Sequence, residues 1–330
     1  MSARLSLAIE TGAFVVPEHG TIAVFQPPAD ADLSALPKER VVVIQPFAPD
    51  HTVWSQRGYN CGAVSVAQQR YAAAIVFLPR AKALARTLIA QAAAATDGQV
   101  VVDGSKTNGV DSILKALKRS VDLSAPLAKS HGKIAWFNAQ GADLASWEER
   151  PSRSPQGYMT APGVFSADGV DPASDLLIGA LPAKLGKTVV DLGAGWGFLS
   201  AMMLRDTTIK TLHLVEADHA ALACAKENIT DERAQFHWAD ARGWKLAQRV
   251  DAVVSNPPFH TGRAAEPSLG QEFIRTSAAL LAPAGSLWMV ANRHLPYENT
   301  LAEAFATVEE VAGDNRFKVL HASRPRKSKR

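Results

Sequence analysis

The apolar run Val250-Asp-Ala-Val-Val-Ser255 ends abruptly at Asn256-Pro257-Pro258-Phe259-His260. A short apolar stretch closed by a turn signal predicts a buried strand of a parallel sheet. The two prolines then forbid both ladder pairing and helix, since neither has an N–H and each drives its predecessor into extended backbone. What results is a rigid elbow at the carboxyl end of a strand, where open α/β sheets hold their ligands. Asn256 can donate and accept, the carbonyls beside the prolines can only accept, and Phe259 offers a flat face. That set suits a planar ring carrying an exocyclic amine. On their own, the same residues also describe an ordinary Pro-rich turn.

Upstream lies Thr188-Val-Val-Asp191-Leu-Gly193-Ala-Gly195-Trp-Gly197-Phe-Leu-Ser200. It predicts an apolar strand, a turn with glycine at every second position, and a helix beginning near Trp196. Glycine lets the backbone turn sharply and approach a ligand without a Cβ clash. The spacing is not the Gly-x-Gly-x-x-Gly of dinucleotide sites, and no Lys-Ser/Thr follows it, so a phosphate-cradling loop is not expected. Asp191 would repel a pyrophosphate but suits a cationic or zwitterionic ligand such as S-adenosylmethionine; a tight connection without function is the alternative. The next strand, Thr211-Leu-His-Leu-Val215, ends at Glu216. A carboxylate there accepts hydrogen bonds from a ribose diol, unless it only serves as an acid at the start of the following helix. A third strand, Ala234-Gln-Phe-His-Trp238, leads to Asp240, which stands where an adenine amine would bind, although any loop aspartate could occupy the position.

Residues from roughly 160 to 323 resemble the class I S-adenosylmethionine-dependent methyltransferases, and more narrowly the bacterial ribosomal RNA guanine-N2 methyltransferases of the small-subunit type. The resemblance is carried by Pro162-Gly-Val-Phe165-Ser-Ala-Asp-Gly, the Asn-Pro-Pro-Phe-His elbow, Val290-Ala-Asn292-Arg293-His-Leu-Pro296-Tyr297 and Asn315-Arg316-Phe317-Lys318-Val319. It implies an α/β protein of two tandem Rossmann-like methyltransferase domains, the N-terminal one degenerate. Asp191, Gly193, Gly195, Glu216 and Asp240 then correspond to cofactor positions, and Asn256, Pro257 and Phe259 to the catalytic pocket for the target amine. His260 is expected to shape the substrate loop, and Asn292 and Arg293 to meet base or phosphate, with capping and solvation as their alternatives. The implied reaction is methyl transfer to a guanine N2 amine of 16S ribosomal RNA, without a metal. Adenine N6, a protein glutamine, or RNA binding without catalysis are the competing readings. Two features depart from the family pattern: Trp196 replaces a smaller residue, and residues 261–271 carry no clear substrate motif.

At 330 residues the chain is expected to form about two domains. The polar stretch Trp147 to Gly157, with two prolines, predicts the linker between residues 1–150 and 151–330. Ala72–Leu78, a helix over 81–95 and Gln99–Val102 repeat the pattern of the second half, which reads as Val253–Pro257, a helix over 273–281 and a strand over 286–290, yet residues 38–70 hold no glycine-spaced turn. A role in RNA docking or in stabilising the catalytic half follows. No run is apolar enough to span a membrane, no leader is evident, and Cys61 and Cys224 have no zinc spacing; a reduced, cytoplasmic protein is expected. The net charge of +3 is local in origin. Five of the 35 lysines and arginines lie in Arg324–Arg330, leaving 30 against 32 acids elsewhere. That tail is expected to be disordered in isolation and to contact RNA phosphate, or simply to be solvated.

Overall fold

Each half of the chain builds a seven-stranded sheet with one and the same strand order. The computed structural model describes residues 3–66, 68–258 and 267–326 and divides into two units, Met1–Pro151 and Ser152–Arg330. The first contains β1 (Ile22–Phe25), β2 (Val41–Ile44), β3 (Asn60–Gly62), β4 (Tyr71–Phe77), β5 (Thr96–Ser105), β6 (Leu127–Lys129) and β7 (Gly132–Asn138). Its helices are α1 (Ala3–Glu10), α2 (Ala48–Gln56), α3 (Lys82–Ala95) and α4 (Val110–Leu117). The second opens with a two-stranded ribbon, β8 (Ser152–Arg153) and β9 (Met159–Thr160). Its main sheet has β10 (Thr188–Leu192), β11 (Thr211–Glu216), β12 (Ala234–Trp238), β13 (Val250–Ser255), β14 (Leu281–Asn292), β15 (Phe305–Gly313) and β16 (Phe317–Pro325). Around it lie α5 (Pro172–Ala180), α6 (Phe198–Met203), α7 (His219–Asn228), α8 (Pro267–Leu280) and α9 (Glu298–Ala304).

The strand orders are β3-β2-β1-β4-β5-β7-β6 and β12-β11-β10-β13-β14-β16-β15. In both sheets the last strand in sequence, β7 or β16, runs antiparallel to its two neighbours. This is the doubly wound, Rossmann-like arrangement, and it reverses its winding between β10 and β13. Strands covered on both faces have to be apolar throughout. Thus Val189, Leu212 and Leu214 face one core with Leu177 and Leu199, while Val190, Val215 and Val253 face the other with Phe273 and Ile274. The alternation follows the two-residue period of a strand.

Several elements differ from the sequence expectation. The helix after the glycine turn begins at Phe198, because Gly197 adopts a left-handed φ of 92° and acts as the cap. Trp196 stays in the turn, where its buried indole N–H donates to the Phe165 carbonyl at 2.9 Å. The helix expected over 273–281 starts at Pro267, and the strand expected over 286–290 runs from Leu281 to Asn292. Arg324 and Pro325 are part of β16, and Arg326 is bonded to the Ala304 and Phe305 carbonyls. The first three residues of the expected disordered tail are therefore ordered by edge pairing; Lys327–Arg330 lie outside the described residues. Nothing in the sequence marked β1 or β2. After β1 the chain turns through Gln26 at φ 49°, whose N–H donates to Ile44 O at 2.8 Å. Gln45 accepts from Phe47 N at 3.0 Å and donates to Pro27 O at 2.8 Å.

Among the described residues no helix is long and apolar enough to cross a membrane, and no group of three or more His, Cys, Asp or Glu is arranged to hold a metal ion. Cys61 and Cys224 are free thiols, and burial pushes that of Cys224 up to about 11.

Candidate active site

The strand order lines up the residues singled out in the sequence. Reading along the carboxyl edge of the second sheet, β12 leads to Asp240, β11 ends at Glu216, β10 leads into the glycine turn, β13 leads to Asn256 and β14 ends at Asn292. Gly193 N and Ala194 N both donate to Val215 O, at 2.9 and 3.0 Å, which fixes the turn against β11. The three glycines of the turn have left-handed φ values but separate functions. A Cβ on Gly197 would lie 2.8 Å from Ile229 Cδ1, so that glycine allows α6 and α7 to pack closely. A Cβ on Gly195 would meet nothing within 4 Å, so this part of the turn borders open space.

Two carboxylates back the turn. Glu216 accepts from Gly195 N and from Asp218 N, each at 2.7 Å, tying the turn to the end of β11. Asp191 is fully buried; its Oδ2 accepts from Ser200 Oγ at 2.7 Å, and its Oδ1 has no partner. Burial pushes both acids up to about 7; the Ser200 hydroxyl opposes this at Asp191, where the nearby Glu216 charge adds to it. At Glu216 the two backbone N–H groups oppose it. Two acids whose ionisation burial opposes and a cation would favour thus stand beside a glycine turn with free space in front of it.

Asn256 stands across the same pocket, which is lined also by Gly193, Gly195, Asp171, Ser174 and Phe165. Ser255 Oγ donates to Leu192 O at 2.6 Å and locks the end of β13 to β10. Asn256 Nδ2 donates to Asp171 Oδ2 at 2.9 Å and to Ser174 Oγ at 2.8 Å, while its Oδ1 is buried without a partner. Pro257 is buried and Pro258 exposed. Sequence reasoning missed Asp171 and Ser174. The available signal was Asp-Pro-x-Ser, an N-cap with proline at the first helical position. Asp171 indeed caps α5 by accepting from Ser174 N at 2.9 Å, but its bond to a residue 85 positions away is a property of the fold.

The remaining candidates divide. Asp240 reaches the edge, but its carboxylate is held by Arg242 through Nε and Nη2 at 2.8–3.0 Å and through the Arg242 N–H at 2.8 Å. Arg293, expected at base or phosphate, instead closes the β15–β16 turn. Its guanidinium contacts Glu310 Oε1 at 2.8 Å, Asp314 O at 2.6 Å and Phe317 O at 3.2 Å, which commits its Nε and Nη2 donors within the protein. Phe259 and His260 lie outside the described residues. Trp196 is explained by packing: it sits between Tyr158 and Phe198, and Asn228 of α7 holds its carbonyl at 2.9 Å.

The comparisons with known proteins agree with this geometry. A family model described as the methyltransferase small domain matches residues 157–321. The ribosomal RNA small subunit methyltransferase C of Shewanella halifaxensis is 34% identical over 258 residues, 74% of this chain and 75% of that protein. The protein of the same name from Shewanella oneidensis is 30% identical over 267 residues, 77% of this chain and 78% of that protein. The chain belongs to the ribosomal RNA small subunit methyltransferase C family. A solved relative in fold, the T. thermophilus 16S rRNA N2 methyltransferase in complex with AdoMet and guanosine, superposes with a TM-score of 0.79 at 24% identity, covering 94% of this chain and 90% of that one. Both Rossmann-like sheets are therefore part of the shared architecture. As a methyltransferase of this family the chain uses S-adenosylmethionine, and its residues fit that group. The open face of Gly195, the unpartnered Asp191 Oδ1 and the carboxylate of Glu216 together offer space and negative charge to a cationic, hydroxyl-bearing ligand.

Proposed function

We propose that this methyltransferase modifies the exocyclic N2 amine of a guanine in 16S ribosomal RNA. The observation that carries the reading is Asn256: its carbonyl oxygen is a buried acceptor without a partner, in one pocket with the glycine turn. A buried acceptor left open costs about 1–3 kcal/mol, a cost recovered when an N–H donor enters. S-adenosylmethionine, when bound, supplies an already activated methyl group, so the protein's work is alignment and exclusion of water.

The residues divide that work. Gly193 and Gly195 leave room for the donor, Asp191 and Glu216 meet its positive charge, and Glu216 can also accept from its ribose. Asp240, next along the edge and oriented by Arg242, would face the adenine amine. Asn256 Oδ1 and the Pro257 carbonyl hold the target amine and stabilise the positive charge that grows on its nitrogen during transfer. From the sequence, Phe259 would stack on the base, a contact worth roughly 1–3 kcal/mol, and His260 would shape the loop. Asn292 ends the neighbouring strand on the base side. The proton leaves to water after transfer.

The N-terminal unit we assign to RNA docking or to support, without a cofactor of its own. Gln26 stands where the second unit has Gly193, and each donates its N–H to the end of the adjacent strand. Pro27 and Pro28 then follow, and neither can supply the N–H that Gly195 gives to Glu216. Gln45 replaces Glu216 at that place and donates to a proline carbonyl instead. Lys327, Lys329 and Arg330 would add contacts to RNA phosphate, and the protein would act in the cytoplasm, where small subunits are assembled.

Asn256→Ala tests the reading. Turnover should fall a hundredfold or more, about 3 kcal/mol of transition-state stabilisation, with cofactor affinity by calorimetry nearly unchanged. Equal losses of affinity and turnover would make Asn256 a structural residue.

A further inference from the structure

We propose that Asp171 and Ser174, at the start of α5, are positioning residues that fix which end of the Asn256 amide faces the substrate. The inference rests on the reading of Asn256 as the amine acceptor. An asparagine amide has a donor end and an acceptor end of nearly equal size, so its direction has to be set by its neighbours. Asp171 settles it chemically: an ionised carboxylate only accepts, so the amide can face it only with its NH2 group. Both N–H bonds of Asn256 are then committed, one to Asp171 Oδ2 at 2.9 Å and one to Ser174 Oγ at 2.8 Å. The oxygen is left over as the one open atom, buried and unpartnered.

Asp171 is itself held rigidly. It caps α5, accepting from Ser174 N at 2.9 Å, so the carboxylate that orients Asn256 is anchored by the helix backbone. Ser174 is buried. The consequence is selectivity by atom type. The Asn256 side chain presents an acceptor and no donor to the pocket, so it receives an N–H-bearing amine and disfavours ring oxygens and nitrogens that only accept. The negative charge of Asp171 also polarises the amide toward its oxygen, which favours positive charge growing on the attacking nitrogen.

A swapped pair tests this. Asn256→Asp should set two carboxylates against each other and lower kcat about a hundredfold. Adding Asp171→Asn removes one of the two opposed charges while its side-chain oxygen still accepts from the helix at the cap, so it should restore at least tenfold of that loss. Ser174→Ala, which removes one of the two acceptors without changing charge, should lower kcat several-fold. Affinity for S-adenosylmethionine, measured by calorimetry on each full-length variant, should stay within about threefold of the parent, which separates positioning from loss of fold. Rescue of kcat in the double variant supports the proposal. A double variant that binds cofactor but is no more active than Asn256→Asp alone overturns it, as does an unchanged kcat in Ser174→Ala. Parental kcat in Asn256→Asp itself would instead refute Asn256 as the amine acceptor, and the positioning role with it.

Discussion

Asp191 and Glu216 are acids whose pKa values burial raises to about 7, from ordinary values of 3.8 and 4.5. The folded state therefore binds their protons more tightly than the unfolded state. The stability this gives is fully present below about pH 4 and is lost as pH rises through about 7. A bound cation reverses the preference, since it favours the ionised forms. Affinity for S-adenosylmethionine should therefore rise between pH 6 and 8, about tenfold if one of the two must be ionised, with protons released on binding. S-adenosylhomocysteine, which lacks the sulfonium charge, should show a weaker dependence. Calorimetry in buffers of different ionisation enthalpy measures both; an affinity flat across that range would remove the two acids from cofactor binding. At this scale the sequence placed Asp191, Glu216 and Asn256 by their strand ends, since an apolar run that stops at a polar residue marks the edge of a parallel sheet. It could not show that Asp171 holds Asn256 or that Glu310 occupies Arg293, because both partnerships join residues far apart in the chain.

Elements were legible where their pattern was local. β13 and β12 run as the sequence predicted, and β4, α3 and β5 fall within a few residues of expectation. β1 and β2 escaped notice: each is four residues long and is followed by no glycine turn to mark it. α8 was read too short, since its first turn contains Pro267 and Gly270, residues that usually argue against helix. Gly270 has a packing reason. A Cβ there would lie 2.2 Å from the hydroxyl of Tyr297, a fully buried side chain. Gly270→Ala gains up to about 1 kcal/mol of helix propensity, but overpacking costs about 1–3 kcal/mol, and the clash should win. Thermal unfolding should show a Tm lowered by a few degrees; a raised Tm would mean that Tyr297 relaxes freely.

For the whole molecule, the body without its C-terminal tail is slightly acidic, so long-range attraction to RNA has to come from local basic features. Arg324–Arg326 belong to the sheet and its edge, which leaves Lys327, Lys329 and Arg330 as the tail's separable charges. Deleting residues 327–330 should weaken binding to 16S RNA and make the slope of log K against log salt shallower by about one to three, with cofactor affinity and Tm unchanged. An unaltered slope would shift the search for RNA contacts to the N-terminal unit.

Methyl transfer by this enzyme ends on one atom of its substrate. Purified protein incubated with methyl-labelled S-adenosylmethionine and either unmodified 16S RNA or small subunits, followed by digestion to nucleosides and mass analysis, identifies that atom. Label is expected in N2-methylguanosine, at a single position, and is lost in Asn256→Ala. Label in N6-methyladenosine, in a ring-methylated guanosine or in ribosomal protein would contradict it.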